Sequence, residues 1–496
     1  MKKRHRQKKG AAHVKANQSP VSISRPREKG DYSGRSHAAL WFAFLLSSGL
    51  IIAAARGDLW LDEIWSLSFA RDSHSVTDIF VRFHHDNNHP LNTLFLYFMG
   101  EQKTLFFYRL FAVVSGIGSV FLVGFIAKRV WGYPEALCGT VLTGISYPLL
   151  LYFSEARGYA PAILFALVSY AVLRQNMIRF KPGRLVVFWA TSILGMLSHA
   201  TFIMVSFAFA TWTLFHEMYV EGSIRRKVLR FMAHHVPPLV FFAWWYTFFL
   251  RNMIIGGANI NKTWDVVGQA SALLLGFPEA SVFLVAAMVC ALVLVALGAN
   301  SFYRERDAQW IFYPTVLFLS PAWMLIASRP QFRYSILSFP FLYLLISYMA
   351  GKYYRSWPNH RRWLIVAAIA ILIAGQIPRD YRLLKLRRGN YASALEHIVE
   401  SSPIGIVRVA SDHDFRNRML FDFYAPRTTG GNNLRYVKSA EWIEEPPDWF
   451  FTHNQDVSFQ PPEEITLKGI GAYRLNEEYR FSGISGWNWF LFRRET

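Results

Sequence analysis

The stretch from Arg56 to Pro90, RGDLWLDEIWSLSFARDSHSVTDIFVRFHHDNNHP, decides how the rest of the chain is read. It is the first polar interval behind an apolar span. It opens on adjacent acids, Asp62 and Glu63, and closes on His84, His85 and His89 before Pro90. Ionisable groups beside a bilayer are costly unless paired or used, so a functional site is expected here. Ile64, Leu67 and Ser68, then Ile79, Phe80 and Phe83, have the spacing of short amphipathic helices lying along a membrane surface. Leu91 to Gly100 is apolar but too short to cross, and reads as a further juxtamembrane helix entered at Pro90.

The composition supports that setting. The chain has 496 residues, 53% of them apolar and 17% aromatic, which suits a multi-spanning membrane protein rather than a soluble enzyme. Its formal charge of +20 sits mainly in short basic runs between apolar stretches, the positive-inside pattern, and this argues against nucleic acid as a partner. Cys138 and Cys290 lie far apart in separate apolar stretches, so neither a disulfide nor a thiolate metal site is expected.

Outward from the opening stretch, residues 1–37 read as a disordered basic cytoplasmic tail, followed by a first span that serves as a retained signal anchor. Residues 38–377 read as a mainly α, polytopic transmembrane domain of about eleven spans, counted from apolar runs checked against Lys/Arg placement. Within it, Leu185 to Phe215 is about twice a minimal span, and Ser198-His199 near its middle predicts two helices meeting at the outer face. Residues 378–496 lose apolar density and read as a small extracytoplasmic α/β domain, with a helix at Tyr391–Glu400 and a buried strand at Gly405–Ala410.

This topology places Asp62, Glu63, His89, Glu155, Arg157, Tyr159, His199, Arg333 and Tyr334 at one membrane boundary, although they come from separate parts of the chain. The charges at the opposite boundary are nearly all ordinary positive-inside lysines and arginines. A one-sided cluster of acids, imidazoles and arginines suits a reaction at a lipid headgroup. The aromatic abundance, including Trp60, Trp65, Trp244 and Trp245, reads mostly as the interfacial belt.

The ordered segments LWLDEIWS, NHPLNTLFLYFM, YFSEARGYAPAILFALVSYAVL, LSHATFIMV and RPQFRYSILSFPFLYLL resemble the bacterial GT-C membrane glycosyltransferases related to protein mannosyltransferases and to the aminoarabinose transferase of lipid A, the glycosyltransferase family 39 and 83-like group. The likeness covers roughly Trp41 to Tyr348. It departs at His89-Pro90-Leu91, where the family often doubles the proline. The resemblance implies a polyprenyl-phosphate-linked sugar as donor and a glycan, lipid or protein as acceptor, at the outer face of the inner (plasma) membrane.

That chemistry needs a carboxylate to take the acceptor's hydroxyl proton as the hydroxyl attacks the anomeric carbon, with inversion and no carboxylate nucleophile. Asp62 is the expected base, and Glu63 the second catalytic candidate. Arg157 and Arg333 are the expected phosphate partners, because a planar guanidinium grips two oxygens, with His89, Tyr159 and Tyr334 as added donors and Glu155 and His199 beside them. Other readings stand beside these. Asp62 suits a helix cap, Glu63 a structural pairing, Glu155 and Arg157 a pair with each other, and His199 satisfied packing. His84 and His85 read as interfacial. Asp62, His89 and Glu155 are the candidates for a divalent metal, though their spacing carries no ligand signature. The runner-up function is a polytopic transporter or lipid flippase, and a noncatalytic scaffold is the third class; the one-sided charges and the lack of an internal repeat count against transport.

Overall fold

The computed structural model describes residues 34–256, 262–325 and 330–495. Most of the basic tail read at residues 1–37 lies outside the described residues, as do residues 257–261 of the polar run Asn252 to Asp265, which reads as an outer loop.

Helices dominate up to Glu400. Six of the described helices are long and apolar enough to cross a membrane, or seven if Tyr133–Gly144 and Tyr147–Phe153, bent by 66° at Ser146, form one span. Pro182–Ser198 and Gln309–Met324 are shorter, and Ile224–Phe248 carries the basic run Arg225, Arg226 and Lys227. These account for part of the difference from a tally of about eleven. Two boundaries depart from the sequence reading. The apolar run Val236 to Leu250 reads as a span that follows the basic run at Arg225, yet one helix, Ile224–Phe248, takes in both and passes Pro237 and Pro238; the apolar run Trp363 to Ile377 reads as ending before Pro378, yet its helix continues from Arg362 to Leu386. In both cases the neighbouring turns hold the helix across a missing amide hydrogen bond.

The opening stretch forms two short helices, Leu61–Arg71 and Val76–Val81, and a third, Pro90–Met99, starts at its last residue. Each start has a local cause. The Glu63 carboxylate accepts from the Trp60 amide at 3.2 Å, Asp78 accepts from Ser75 and His74, and Pro90 occupies the first turn of the third helix, where its missing N–H costs nothing. The expected break near Ser198-His199 is present, between Pro182–Ser198 and Phe202–Tyr219.

The C-terminal part is a six-stranded mixed sheet built from β1 (Val407–Ser411), β2 (Leu434–Tyr436), β3 (Trp449–Asn454), β4 (Glu464–Leu467), β5 (Gly471–Tyr479) and β6 (Asn488–Arg494). Its order is β2-β1-β3-β6-β5-β4, with β1 parallel to β2 and β3 and the remaining pairs antiparallel. The helices Tyr391–Glu400 and Arg416–Tyr424 cover the sheet. One apolar cluster then joins Leu59, Trp60, Ile64 and Leu67 to Leu395, Leu420, Trp449 and Trp489, so the sheet domain sits on the first juxtamembrane helix.

Beneath that junction lies a buried ion pair. Arg109 donates Nε to Glu63 Oε1 at 2.7 Å and Nη2 to Glu63 Oε2 at 2.6 Å, both side chains having no exposure. Arg109 also reaches the carbonyls of Ala55, Gly57 and Asp58, and Glu63 Oε1 accepts from the Ala156 amide at 2.7 Å. Burial alone would push Glu63 up, but the charge and hydrogen bonds of Arg109 outweigh it and hold the carboxyl below the usual range. Arg388, also fully buried, donates to Ala54 O, Leu151 O and Ser154 Oγ. Asp58 Oδ2 accepts from Ala392 N, and Tyr424 donates to Leu59 O.

Gly158 makes a different close approach. A Cβ there would stand 1.8 Å from Ser198 O and 2.8 Å from His89 Cβ, so only glycine lets the 154–158 turn, the Ser198-His199 break and the start of Pro90–Met99 touch.

Two outcomes follow from this arrangement. Glu63→Gln should destabilise the fold by roughly 3–5 kcal/mol, because it strands the Arg109 charge in a dry site; a wild-type unfolding midpoint in detergent would refute it. Gly158→Val should separate the three segments, seen as lost folded yield or, in surviving protein, altered cross-linking between positions 89 and 199. Unchanged cross-linking with full yield would contradict the close approach.

Candidate active site

Adjacent residues on a helix point about 100° apart, so Asp62 and Glu63 face different surroundings. Glu63 turns into the brace described above. Asp62 turns the other way, its side chain 17% exposed, and its Oδ2 lies 3.0 Å from Arg157 Nη1 and 3.2 Å from Arg333 Nη1. The Arg333 contact is a hydrogen bond, whereas the Arg157 contact is an ion pair without hydrogen-bond alignment.

Asn87 completes this corner. Its Oδ1 accepts from Arg157 Nη2 at 2.8 Å, while its Nδ2 donates to Asp62 O at 2.8 Å and to Ser66 Oγ at 3.2 Å. The Arg157 guanidinium also stacks over Tyr159 and Trp60, with centroid distances of 5.0 and 5.9 Å. Its Nε, like Nε of Arg333, is buried without a hydrogen-bond acceptor. Two guanidiniums therefore share one carboxylate oxygen and keep donor capacity in reserve, as an anion-binding pair requires.

Two cavities meet at this corner. One, of about 490 Å³, is lined by Asp62, Asp86, Asn87, Gln269, Gln331 and Arg333, with Trp60, Trp65 and Trp487 among its walls, and it extends under the sheet domain. The second, of about 520 Å³, is lined by His89, Arg157, Tyr159, His199, Arg333 and Tyr334 on one side. On the other it is lined by an apolar wall including Phe242, Trp245, Phe249, Met204 and Trp323. Asp86 and Arg333 line both, so the Asp62 contacts with Arg157 and Arg333 lie between a more polar space, mixed with aromatic walls, and a largely apolar one.

Behind the partition, His89 and His199 stack with centroids 4.9 Å apart, and Tyr159 lies 4.4 Å from His199. His199 Nδ1 accepts from the Thr201 amide at 3.2 Å, which leaves the proton of the neutral ring on Nε2. Burial, the neighbouring imidazole and the two arginines push His89 well below its ordinary value, and burial with the same arginines pushes His199 down to about 3. Both rings are thus neutral at physiological pH. His89 Nε2 has no hydrogen-bond partner.

Asp62, His89, Arg157, Tyr159, His199, Arg333 and Tyr334 therefore gather around the two cavities. Glu63 and Glu155 line neither. Glu155 is buried against Arg388, at 3.4 Å, and burial outweighs Arg388 and Arg157 to raise its carboxyl. It neither pairs directly with Arg157 nor reaches Asp62 and His89 as a ligand set, and no group of three or more His, Cys, Asp or Glu among the described residues is disposed to hold a metal. His85, read from sequence as interfacial, lines the polar cavity, lies 4.3 Å from Trp65 ring to ring, and is 3.0 Å from Asp86. The spacing of Asp86 and Asn87 carries no sequence signal; the loop that turns them inward pairs with Ile254 and Gly256 far along the chain. Arg109 had a sequence signal, since it interrupts the apolar LFFYRLF run at the boundary where positive-inside places no arginine.

No protein-family model and no curated protein matches the sequence. Solved structures do match the fold. The apo structure of ArnT from Cupriavidus metallidurans superposes with a TM-score of 0.53 at 11% identity, over 92% of this chain and 98% of that one. ArnT from the same organism bound to undecaprenyl phosphate gives 0.50 at 11% identity, over 92% and 97%. The apo oligosaccharyltransferase of Archaeoglobus fulgidus gives 0.48 at 11% identity, over 77% and 63%. The chain is thus a membrane protein with the fold of the GT-C glycosyltransferases, mainly helical and completed by a small sheet domain.

Proposed function

We propose that the protein is an integral-membrane glycosyltransferase that moves a sugar from a polyprenyl-phosphate donor to an acceptor hydroxyl at the outer face of the plasma membrane. The observation that carries this reading is the Asp62 carboxylate held between Arg157 and Arg333 where a polar cavity meets an apolar one. In this reading the amino-terminal tail is cytoplasmic, residues 38–377 form the catalytic membrane domain, and residues 378–496 form an extracytoplasmic domain over the polar cavity. The fold likeness supports lipid-linked glycosyl transfer as a class, and the ArnT structure with undecaprenyl phosphate supplies the example of a carrier lipid.

The chemistry divides between the two spaces. The prenyl chain lies in the apolar cavity and its phosphate takes the guanidiniums of Arg157 and Arg333, with Tyr159, Tyr334 and the neutral His89 and His199 as nearby donors or packing groups. The acceptor, a glycan, lipid or protein, presents its hydroxyl from the polar cavity. Asp62 removes that proton as the oxygen attacks the anomeric carbon, the bond to the phosphate oxygen breaks, and the configuration inverts. Phosphate leaves as an anion, so the arginines supply the needed electrostatic stabilisation and no strong acid is required. Glu63 and Glu155 hold the frame in this scheme and transfer no proton.

Asp62→Asn is expected to lower transfer from a synthetic polyprenyl-phosphate sugar by roughly a hundredfold to ten-thousandfold, with normal membrane insertion; full activity would end the assignment. Arg333→Lys keeps the charge but loses the planar fork, and should reduce kcat/KM for the donor by on the order of a hundredfold. An unchanged donor kcat/KM would remove Arg333 from phosphate binding.

A further inference from the structure

The helices Leu110–Val130 and Tyr159–Ile178 both start beside the site, at Arg109 and Tyr159, and run 21 and 20 residues away from it. At 1.5 Å per residue their far ends lie about 30 Å off, one hydrocarbon thickness, in the headgroup layer of the opposite leaflet. A cavity of about 290 Å³ opens between those far ends. Phe125, Ile126 and Ile178 line its apolar part, and Arg129, Arg179 and Arg184 line its rim with no acid among the described lining residues.

Ordinary topogenic arginines spread into the headgroup layer without converging. Here the rim is shaped. Arg184 Nη1 donates to Gln175 O at 3.1 Å and Arg179 O at 3.0 Å, which ties the loop after the second helix back over the cleft. Arg129 lies 5.3 Å from the centroid of Phe125, so its guanidinium rests over the apolar part rather than extending away from it. Phe125 and Ile178 remain 37% and 45% exposed, so the apolar part is open toward the membrane. An aromatic-aliphatic cleft rimmed by guanidiniums at headgroup depth matches one chemistry: a phosphodiester headgroup with its acyl chain attached.

We infer that this cleft is a binding site for an anionic phospholipid of the leaflet opposite the catalytic corner, with the headgroup phosphate on Arg129 and Arg179 and an acyl chain against Phe125 and Ile178. The inference depends on the membrane fold alone and stands apart from the chemistry proposed for Asp62.

The full chain in a neutral detergent is titrated with phosphatidylglycerol, with phosphatidylcholine of the same acyl chains, and with glycerol 3-phosphate, following the unfolding midpoint. Saturable stabilisation by phosphatidylglycerol alone is expected. Arg129→Gln/Arg179→Gln should weaken it by at least about fivefold, while its midpoint in phosphatidylcholine stays at the wild-type value. Arg225→Gln/Arg226→Gln, which removes the same charge from another basic run, should bind as wild type. Equal weakening in both double variants, no weakening in the first, or equivalent stabilisation by glycerol 3-phosphate would overturn the site. On the unaltered protein, a photoreactive phosphatidylglycerol should label the segments around Phe125 and Ile178, and labelling spread evenly over the lipid-facing helices would also overturn it.

Discussion

A dry carboxylate-guanidinium pair sets the geometry of this protein. Two charges taken out of water each lose several kcal/mol of hydration, and their attraction offsets that only when the remaining lone pairs and protons are also engaged. Glu63 and Arg109 meet the condition. Besides each other they engage the amides of Ala156 and Trp60 and the carbonyls of Ala55, Gly57 and Asp58. Those partners belong to the end of the first span, the first juxtamembrane helix and the 154–158 turn. Satisfying the pair therefore fixes the positions of three segments at once, and the next residue along the helix, Asp62, has its direction set as a consequence.

The corner around Asp62 follows the opposite rule. Asp62 is partly exposed and shares a single oxygen between two arginines, whose other nitrogens are incompletely engaged. Such a pairing is readily exchanged, because an incoming phosphate offers the same guanidiniums more oxygens and more charge. In the proposed cycle the carboxylate holds Arg157 and Arg333 in place before the donor arrives and is released from them as the phosphate takes over.

Much of this was readable in the sequence, for reasons that differ by element. The juxtamembrane helices and the break at His199 were legible because amphipathic spacing and a polar pair inside an apolar run are local signals. Arg157, Arg333 and Asp62 could be grouped because membrane topology turns a one-dimensional alternation into two faces, and the charges on the other face are nearly all lysines and arginines. The separate fates of Asp62 and Glu63 were only partly legible. The helix period says that they diverge, but the partner of Glu63 is 46 residues away. Asp86 and Asn87 were hidden for a similar reason, their orientation depending on a pairing with Ile254 that no local pattern encodes. The helix continuing through Pro378 is not legible in sequence because proline is a local stop signal, while its accommodation depends on surrounding structure.

The arrangement also explains why the polar cavity needs the sheet domain. Trp60, Trp65 and Asp62 come from the juxtamembrane helix and would otherwise face water; His413, Arg416 and Trp487, from the sheet domain, form the facing wall. The two walls are aligned by contacts at their base: Arg388 in the membrane-domain carbonyls, Ala392 on Asp58, and Tyr424 on Leu59. Each of these anchors lies within a few residues of Glu63 or of its Ala156 partner, either along the chain or across a hydrogen bond. The sheet domain and the helix carrying Asp62 therefore rest on the same buried brace that holds the first span. The wall carrying His413, Arg416 and Trp487 and the helix carrying Asp62 are thus joined at their base, whereas the second cavity takes its apolar wall from Met204, Phe242, Trp245, Phe249 and Trp323 of other segments.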